Sequence, residues 1–246
     1  MPRRSDPGDD TLPMLRSINA AAFAAPADDD IYVSIFDAIQ DGKLPPGTKL
    51  GEDQLAVVFQ VSRTRIRQSL RQLAFAGVVE MFKNRGAFVA RPTRRDANDI
   101  YAARRLVEAD VVTMVALHHT PADLSALRAH VASQKAALAG EERGTARRLI
   151  AEFHLVLAAL AGNRSLARFI AQLVAQTTLI NMLYDTREAP LCSVDEHEAL
   201  VDRIAARDAA GSVAMMTEHL QAVERRLRFP DDRPPAVDFT SVFTRG

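Results

Sequence analysis

The sequence predicts a mainly α-helical protein in two parts: a small N-terminal helical domain closed by a strand hairpin, and a C-terminal all-α antiparallel bundle. Three observations lead there. Apolar residues recur at helical spacing through most of the chain. The strand-like runs, Val78 to Glu80 and Ala87 to Ala90, stand close together around the turn Lys83-Asn84-Arg85-Gly86. Beyond residue 98 the texture is Ala- and Leu-rich, without strand signal. At 246 residues and 48% hydrophobic composition, the chain can bury the cores of two ordinary domains, which excludes wholesale disorder.

Residues 1–27 are rich in Pro, Asp and Ala and read as a mobile arm. Ile31, Ile35 and Ile39 mark a helix that stops at Asp41-Gly42, and Pro45-Pro46-Gly47 is a turn. A short helix covers Glu52 to Phe59, and a second runs from Arg63 to Ala76, ending at Gly77. The first domain is thus expected at 28–92, with a linker at 93–97. A bundle follows at 98–229, with helices near 98–118, 121–139, 144–161, 165–185, 194–208 and 211–229, then a tail at 230–246.

Formal net charge is zero, which argues against a generally basic coat protein, but the charge is unevenly distributed. Between Gln54 and Arg95 lie nine basic residues against the single acid Glu80, enough to meet phosphates locally. On the helix from Arg63, the residues Ile66, Leu70 and Leu73 form one apolar stripe, suited to pack on the Ile31/Ile35/Ile39 helix. At 100° per residue, Thr64, Arg67, Gln68 and Arg71 share the opposite face. A DNA recognition helix needs that division, one face for the core and one offering fork donors to guanine edges and phosphates. Ser62 is a suitable N-cap, and the hairpin turning at Arg85-Gly86 would be a wing.

From Ile31 to Val89 the chain resembles the winged helix-turn-helix domain of the GntR family of bacterial regulators. The matching segments are Pro46-Gly47-Thr48-Lys49-Leu50, Glu52-Asp53-Gln54-Leu55-Ala56, Val61-Ser62-Arg63-Thr64-Arg65-Ile66-Arg67 and Arg85-Gly86-Ala87-Phe88-Val89. The resemblance implies that Ser62, Arg63, Thr64 and Arg67 contact DNA and that Gly86 lets the wing tip enter the minor groove. Two positions depart from the pattern. Arg65 replaces a usual Pro, and Asp53 stands where some relatives carry a DNA-contacting Arg, so an acid there is expected to repel phosphate.

In the bundle, His154 lies on the stripe Ile150, His154, Leu157, Ala161. His197 lies with Val201 and Ile204, and His219 with Met216, Val223 and Leu227. Arg104 lies on the stripe Ile100, Arg104, Val107, Val111. Four polar groups on four apolar stripes would cost several kcal/mol if buried separately; one shared polar cavity meets the need. Three imidazoles suit a divalent transition metal, zinc or nickel-like. The remaining histidines read otherwise, His118 and His119 as helix-end residues and His130 as solvent-facing.

The bundle resembles the FCD ligand-binding domain of the FadR-like branch of the same family. That resemblance implies that His154, His197 and His219 are metal ligands and that Arg104, in an Arg-x-x-x-Glu segment ending at Glu108, meets a ligand carboxylate. Metal-binding relatives carry Asp where Ile150 stands. Two alternatives stay open: three histidines hold the metal with water or ligand completing the shell, or a neutral histidine-lined pocket remains. Asp110 is a candidate substitute carboxylate.

Together these readings point to a cytoplasmic, ligand-responsive, sequence-specific DNA-binding transcription regulator. In this family such a regulator is most often a repressor controlled by a small organic acid or related metabolite. The expected partners are a double-stranded, palindromic operator, the effector and a second copy in a homodimer, with no membrane. Cys192 is the single cysteine, so an internal disulfide is excluded. The competing reading is a metal-dependent enzyme using the three histidines, with a fused DNA-binding domain. Against it, the sequence offers no general base beside them and no HExxH arrangement.

Overall fold

The computed structural model describes residues 30–40, 42–140, 143–185 and 193–229. The arm at 1–27, the tail at 230–246 and Cys192 lie outside the described residues.

The N-terminal part is built from α1 (Asp30–Gln40), α2 (Glu52–Phe59) and α3 (Arg63–Phe75), with strands β1 (Lys49–Leu50), β2 (Val79–Phe82) and β3 (Gly86–Val89). The expected stripes meet: Ile31, Ile35 and Ile39 of α1 and Ile66, Leu70 and Leu73 of α3 are all buried in one core. The α2–α3 turn is tight because Gln60 takes a left-handed conformation at φ 55° and Ser62 accepts from the Arg65 amide at 3.4 Å. After α3 the chain reverses at Gly77. Its φ is +77°, a left-handed conformation that favours glycine, and a Cβ there would also have to displace the Gln176 side-chain amide.

The sheet has the order β1-β3-β2, all antiparallel, with Glu80 opposite Phe88 and Phe82 opposite Gly86. β1 was not foreseen. It is two residues long, too short to show alternation, and exists because Lys49 and Leu50 pair with Phe88 and Ala87.

The linker expected at 93–97 is helical from Arg94 onward, so the bundle begins earlier than its sequence texture. Thr93 and Asp96 form a reciprocal capping box that starts the helix, with Thr93 N donating to Asp96 Oδ2 at 2.8 Å. The bundle helices are α4 (Arg94–His118), α5 (Pro121–Ala139), α6 (Arg143–Leu160), α7 (Arg164–Tyr184), α8 (Ser193–Ala205) and α9 (Ala209–Arg226). α5 starts on a second capping box, Thr120 with Asp123, and α9 starts at Ala209 because Asp208 caps the Gly211 amide at 2.8 Å. α4 packs along α9 and α7, and α6 lies against α5 and α7. By length and composition α7 could cross a membrane, but it packs in this bundle, with Ile170, Val174, Thr177 and Ile180 buried.

α7 also reaches the N-terminal part. Gln172 Nε2 donates to the Phe75 carbonyl at 2.9 Å, and the Tyr184 hydroxyl donates to the Pro92 carbonyl at 2.8 Å. Tyr184 also packs against Phe229 with tilted rings, 4.1 Å between centroids, and Arg94 covers the Phe229 ring.

Candidate functional site

Two assemblies of polar side chains stand out, one on α3 and the hairpin, one inside the bundle. Ser62, Arg63, Thr64, Arg67, Gln68 and Arg71 are all exposed along α3. The face opposite the core therefore carries the side chains that the periodicity assigned to it. At the hairpin tip, Asn84 and Gly86 take φ of 62° and 95°, which turns the chain tightly. Arg85 lies over two rings, its Cζ 5.2 Å from the Phe82 centroid and 5.8 Å from that of Phe88.

Two arginines of α3 are paired with acids of α2. Arg67 makes a bidentate pair with Glu52 of α2, Nε to Oε1 at 2.9 Å and Nη2 to Oε2 at 2.6 Å. Arg63 Nη1 lies 3.0 Å from Asp53 Oδ1. Asp53, expected only to repel phosphate, thus also partners an arginine on the exposed side of α3. The Arg67 hydrogen bond, together with the charges of Arg67, Arg63 and Arg71, holds the Glu52 carboxyl below its ordinary pKa against a smaller effect of burial. Sequence reasoning missed Glu52 because the α2–α3 crossing, not any period, brings positions 15 apart together.

In the bundle, the three histidines converge. His154 on α6, His197 on α8 and His219 on α9 are buried, and one ring nitrogen of each lies within 4.8 Å of the other two. Ring centroids are 4.9 to 5.5 Å apart. Each Nδ1 has an oxygen partner: Glu108 Oε2 for His154 at 2.5 Å, Gln134 Oε1 for His197 at 2.9 Å and Glu196 Oε2 for His219 at 2.6 Å. Phe153 stacks on the His197 ring at 4.0 Å. His197 Nε2 is buried without a partner among the described residues.

Burial pushes His154 down to about 4; Glu108 opposes that shift and Arg104 adds to it. Burial, then the neighbouring His219 and His154, put His197 well below the ordinary histidine value. Both rings are therefore neutral near pH 7, Nδ1–H donating outward and Nε2 keeping its lone pair. Imidazoles with Nδ1 tied to oxygen and Nε2 free are the form in which histidine binds a metal. The donor set fits a divalent transition ion.

Arg104, expected to meet a ligand carboxylate, has partners within the chain. Its Nε donates to Glu108 Oε1 at 2.7 Å and its Nη1 to Thr177 Oγ1 at 2.9 Å. Nη2 lies 2.6 Å from the same Glu108 oxygen but is out of line for a hydrogen bond, and it is otherwise unpartnered. Burial would raise the Glu108 carboxyl, but Arg104 and then His154 outweigh it and hold it at about 2. Glu108 therefore links Arg104 to His154. Asp110, the candidate substitute carboxylate, is exposed, whereas Ile150 is half-buried against the core. His130 is buried as well, correcting the solvent-facing reading: its Nε2 donates to the Leu149 carbonyl at 2.9 Å and it is not one of the three. Glu108, known only as the end of the Arg-x-x-x-Glu segment and not as a partner of His154, and Gln134, missed altogether, had a faint signal. Each is a polar residue continuing an apolar stripe, four residues after Arg104 and three after Val131.

Family models match both halves of the chain. "Bacterial regulatory proteins, gntR family" covers residues 27–89, and the FCD domain covers residues 99–222. The HTH-type transcriptional regulator LutR of Bacillus subtilis (strain 168) is 29% identical over 210 residues, spanning 76% of this chain and 94% of LutR. The HTH-type transcriptional repressor RspR of Escherichia coli (strain K12) is 24% identical over 204 residues, spanning 82% and 90%. Among solved structures, the fold is shared with a GntR transcriptional regulator of Rhodococcus sp. RHA1. That match has a TM-score of 0.70 and 24% identity, over 79% of this chain and 94% of that one. It is also shared with E. coli McbR/YncC, at a TM-score of 0.68 and 19% identity, over 78% and 92%.

Proposed function

Because the chain belongs to the GntR family of transcription regulators and carries an FCD domain, we propose that it binds a specific operator and releases or engages it in response to a small anionic metabolite. The observation that carries this reading is the buried histidine cluster. Three rings with outward-tied Nδ1 atoms are arranged for a ligand rather than merely accommodated in a core.

In this reading α3 enters the major groove, with Ser62, Arg63, Thr64, Arg67 and Arg71 toward DNA, and the Arg85-Gly86 tip reaches the adjacent minor groove. A homodimer would place two such helices on the half-sites of a palindrome. The relative RspR is named a repressor, which supports repression here.

His154, His197 and His219 would hold a divalent ion, which when bound supplies a Lewis-acidic seat for an oxygen of the effector. Glu108, Gln134 and Glu196 fix the rings and their tautomers. Arg104 presents its unaligned Nη2 to an anionic oxygen and Thr177 holds its Nη1, so an effector that draws Arg104 pulls on α7. Through Gln172 and Tyr184, α7 contacts the end of the recognition helix and the segment before α4. A metal-dependent enzyme finds less support, since among the described residues the carboxylates beside the histidines, Glu108 and Glu196, are both committed to Nδ1 atoms.

The test is selection of duplexes from a random pool by the full-length protein, followed by a metabolite screen on the selected duplex. An enriched sequence, and a small acid that shifts its affinity, are expected. A pool that stays random would overturn the proposal.

A further inference from the structure

The pairing of Glu52 with Arg67 has a consequence for base reading. A guanidinium carries five N–H groups in a planar fork. Glu52 takes the side-on edge, the Nε–H and one Nη2–H. Both hydrogens of Nη1 and the second hydrogen of Nη2 remain, and the two that face each other, one on each nitrogen, form the end-on fork. That fork alone can still make two parallel bonds to the O6 and N7 of guanine. The Arg67 side chain is 45% exposed and Glu52 18%, so the arginine is the more accessible of the pair.

An unbraced arginine on a helix surface samples many rotamers and meets phosphates as readily as bases. A carboxylate fixed to one edge of the guanidinium removes most of that freedom and fixes the plane of the remaining fork. The acid also lowers the net attraction of this face for phosphates, which weakens binding to every sequence alike. Arg63 is held differently: its Nη1 lies 3.0 Å from Asp53, itself largely exposed, and its Nη2 only 3.8 Å from Glu52, without the bidentate hydrogen bonds that fix Arg67, so its fork is not aimed in the same way.

We infer that Glu52 is a specificity-determining positioning residue, which orients Arg67 for end-on reading of a guanine and discourages its use as a phosphate anchor. The inference rests on the reading of α3 as the recognition helix. It separates the two acids of α2: Glu52 governs discrimination, whereas Asp53 only trims overall affinity.

The experiment uses full-length wild type, Glu52→Gln, Asp53→Asn, Arg67→Ala, Arg67→Lys and the Glu52→Gln/Arg67→Lys double variant. Each is titrated with a duplex selected by the wild type, with single base-pair substitutions of it, and with a scrambled duplex of equal length. Melting temperature and circular dichroism check folding. Glu52→Gln is expected to keep the fold, to bind scrambled DNA as well as or better than wild type, and to lose discrimination at one G·C pair per half-site. The loss expected is roughly five- to a hundredfold, the worth of one bidentate contact. Asp53→Asn should raise affinity for all duplexes equally. In the Arg67→Lys background, which has no fork, Glu52→Gln should change nothing at that pair. Glu52→Gln retaining the full wild-type profile, or weakening every duplex equally, overturns the inference. If Arg67→Ala also keeps the wild-type profile, the recognition-helix reading fails with it. If Arg67→Ala loses that pair while Glu52→Gln keeps it, only the inference about Glu52 fails.

Discussion

His154 of α6 and Glu108 of α4 are joined by a 2.5 Å hydrogen bond in a site from which both side chains are almost wholly excluded from solvent. The same carboxylate is the counter-charge of Arg104. One acid thus fixes the tautomer of a candidate metal ligand and neutralises a buried cation. Glu108→Gln keeps a hydrogen-bonding oxygen for His154 but removes the charge, leaving Arg104 buried and unbalanced. Breaking a buried pair on one side costs roughly 3–5 kcal/mol. Urea denaturation of the full-length variant should show that loss, and wild-type stability would contradict the role given to Glu108.

The buried histidines make the stability of the metal-free protein depend on pH. His154 is lowered from 6.5 to about 4 and His197 lies well below its ordinary value, both through burial first. Above about pH 6.5 both rings are neutral in the folded and the unfolded chain, and their contribution to stability is fully present. As pH falls toward 4, the unfolded chain takes up protons that the folded chain refuses. Stability should then fall by up to about 1.4 kcal/mol per pH unit for each histidine. Glu108, lowered to about 2, loses its contribution only below its ordinary value of 4.5 and so adds little in this window. Denaturation midpoints between pH 7 and 5 in chelator measure the slope. A flat profile, or one unchanged in His154→Gln, would count against buried neutral rings.

Ile150 stands one helical turn before His154, so a carboxylate placed there would share its face. Ile150→Asp is expected to tighten zinc binding and to raise the melting temperature with zinc. In chelator it should lower stability, because an unpaired carboxylate is being desolvated. A variant that binds zinc no better than wild type would show that position 150 does not face the three rings.

Helix α7 touches the polar site through Thr177 and the N-terminal part through Gln172 and Tyr184. Combining Tyr184→Phe with Gln172→Ala removes both side-chain hydrogen bonds to the N-terminal part without entering the site. Such a protein should bind an effector found by thermal-shift screening with wild-type affinity, yet its DNA affinity should change less on binding. Unaltered coupling would route the signal elsewhere.

Much of this was legible because periodicity reports which side of a helix faces a core. Ile66, Leu70 and Leu73 fixed the orientation of α3, and the polar residues opposite them followed. His154, His197, His219 and Arg104 were conspicuous as polar residues on apolar stripes. Their partners were not, because pairings such as Glu52 with Arg67 or Gln134 with His197 depend on how helices cross. His130 was misread for a related reason. Its buried face on α5, Leu127, His130, Val131, Gln134 and Ala137, mixes two polar residues and a small alanine with only two large apolar ones, so it did not stand out as a core stripe. The start of α4 was missed because Arg91-Pro92-Thr93-Arg94-Arg95 has the composition of a linker, while Thr93 and Asp96 carry the cap that begins the helix.

The central claim is that the bundle histidines form one ligand site. Calorimetric titration of zinc into the full-length protein tests it most directly, with wild type beside His154→Ala, His197→Ala and His219→Ala, each first shown to be folded by circular dichroism. The account expects one zinc per chain in the wild type and loss of at least about tenfold in affinity in each variant, as befits removal of a direct ligand. A wild type that takes up no zinc, or variants that bind it as tightly as the wild type, would contradict it.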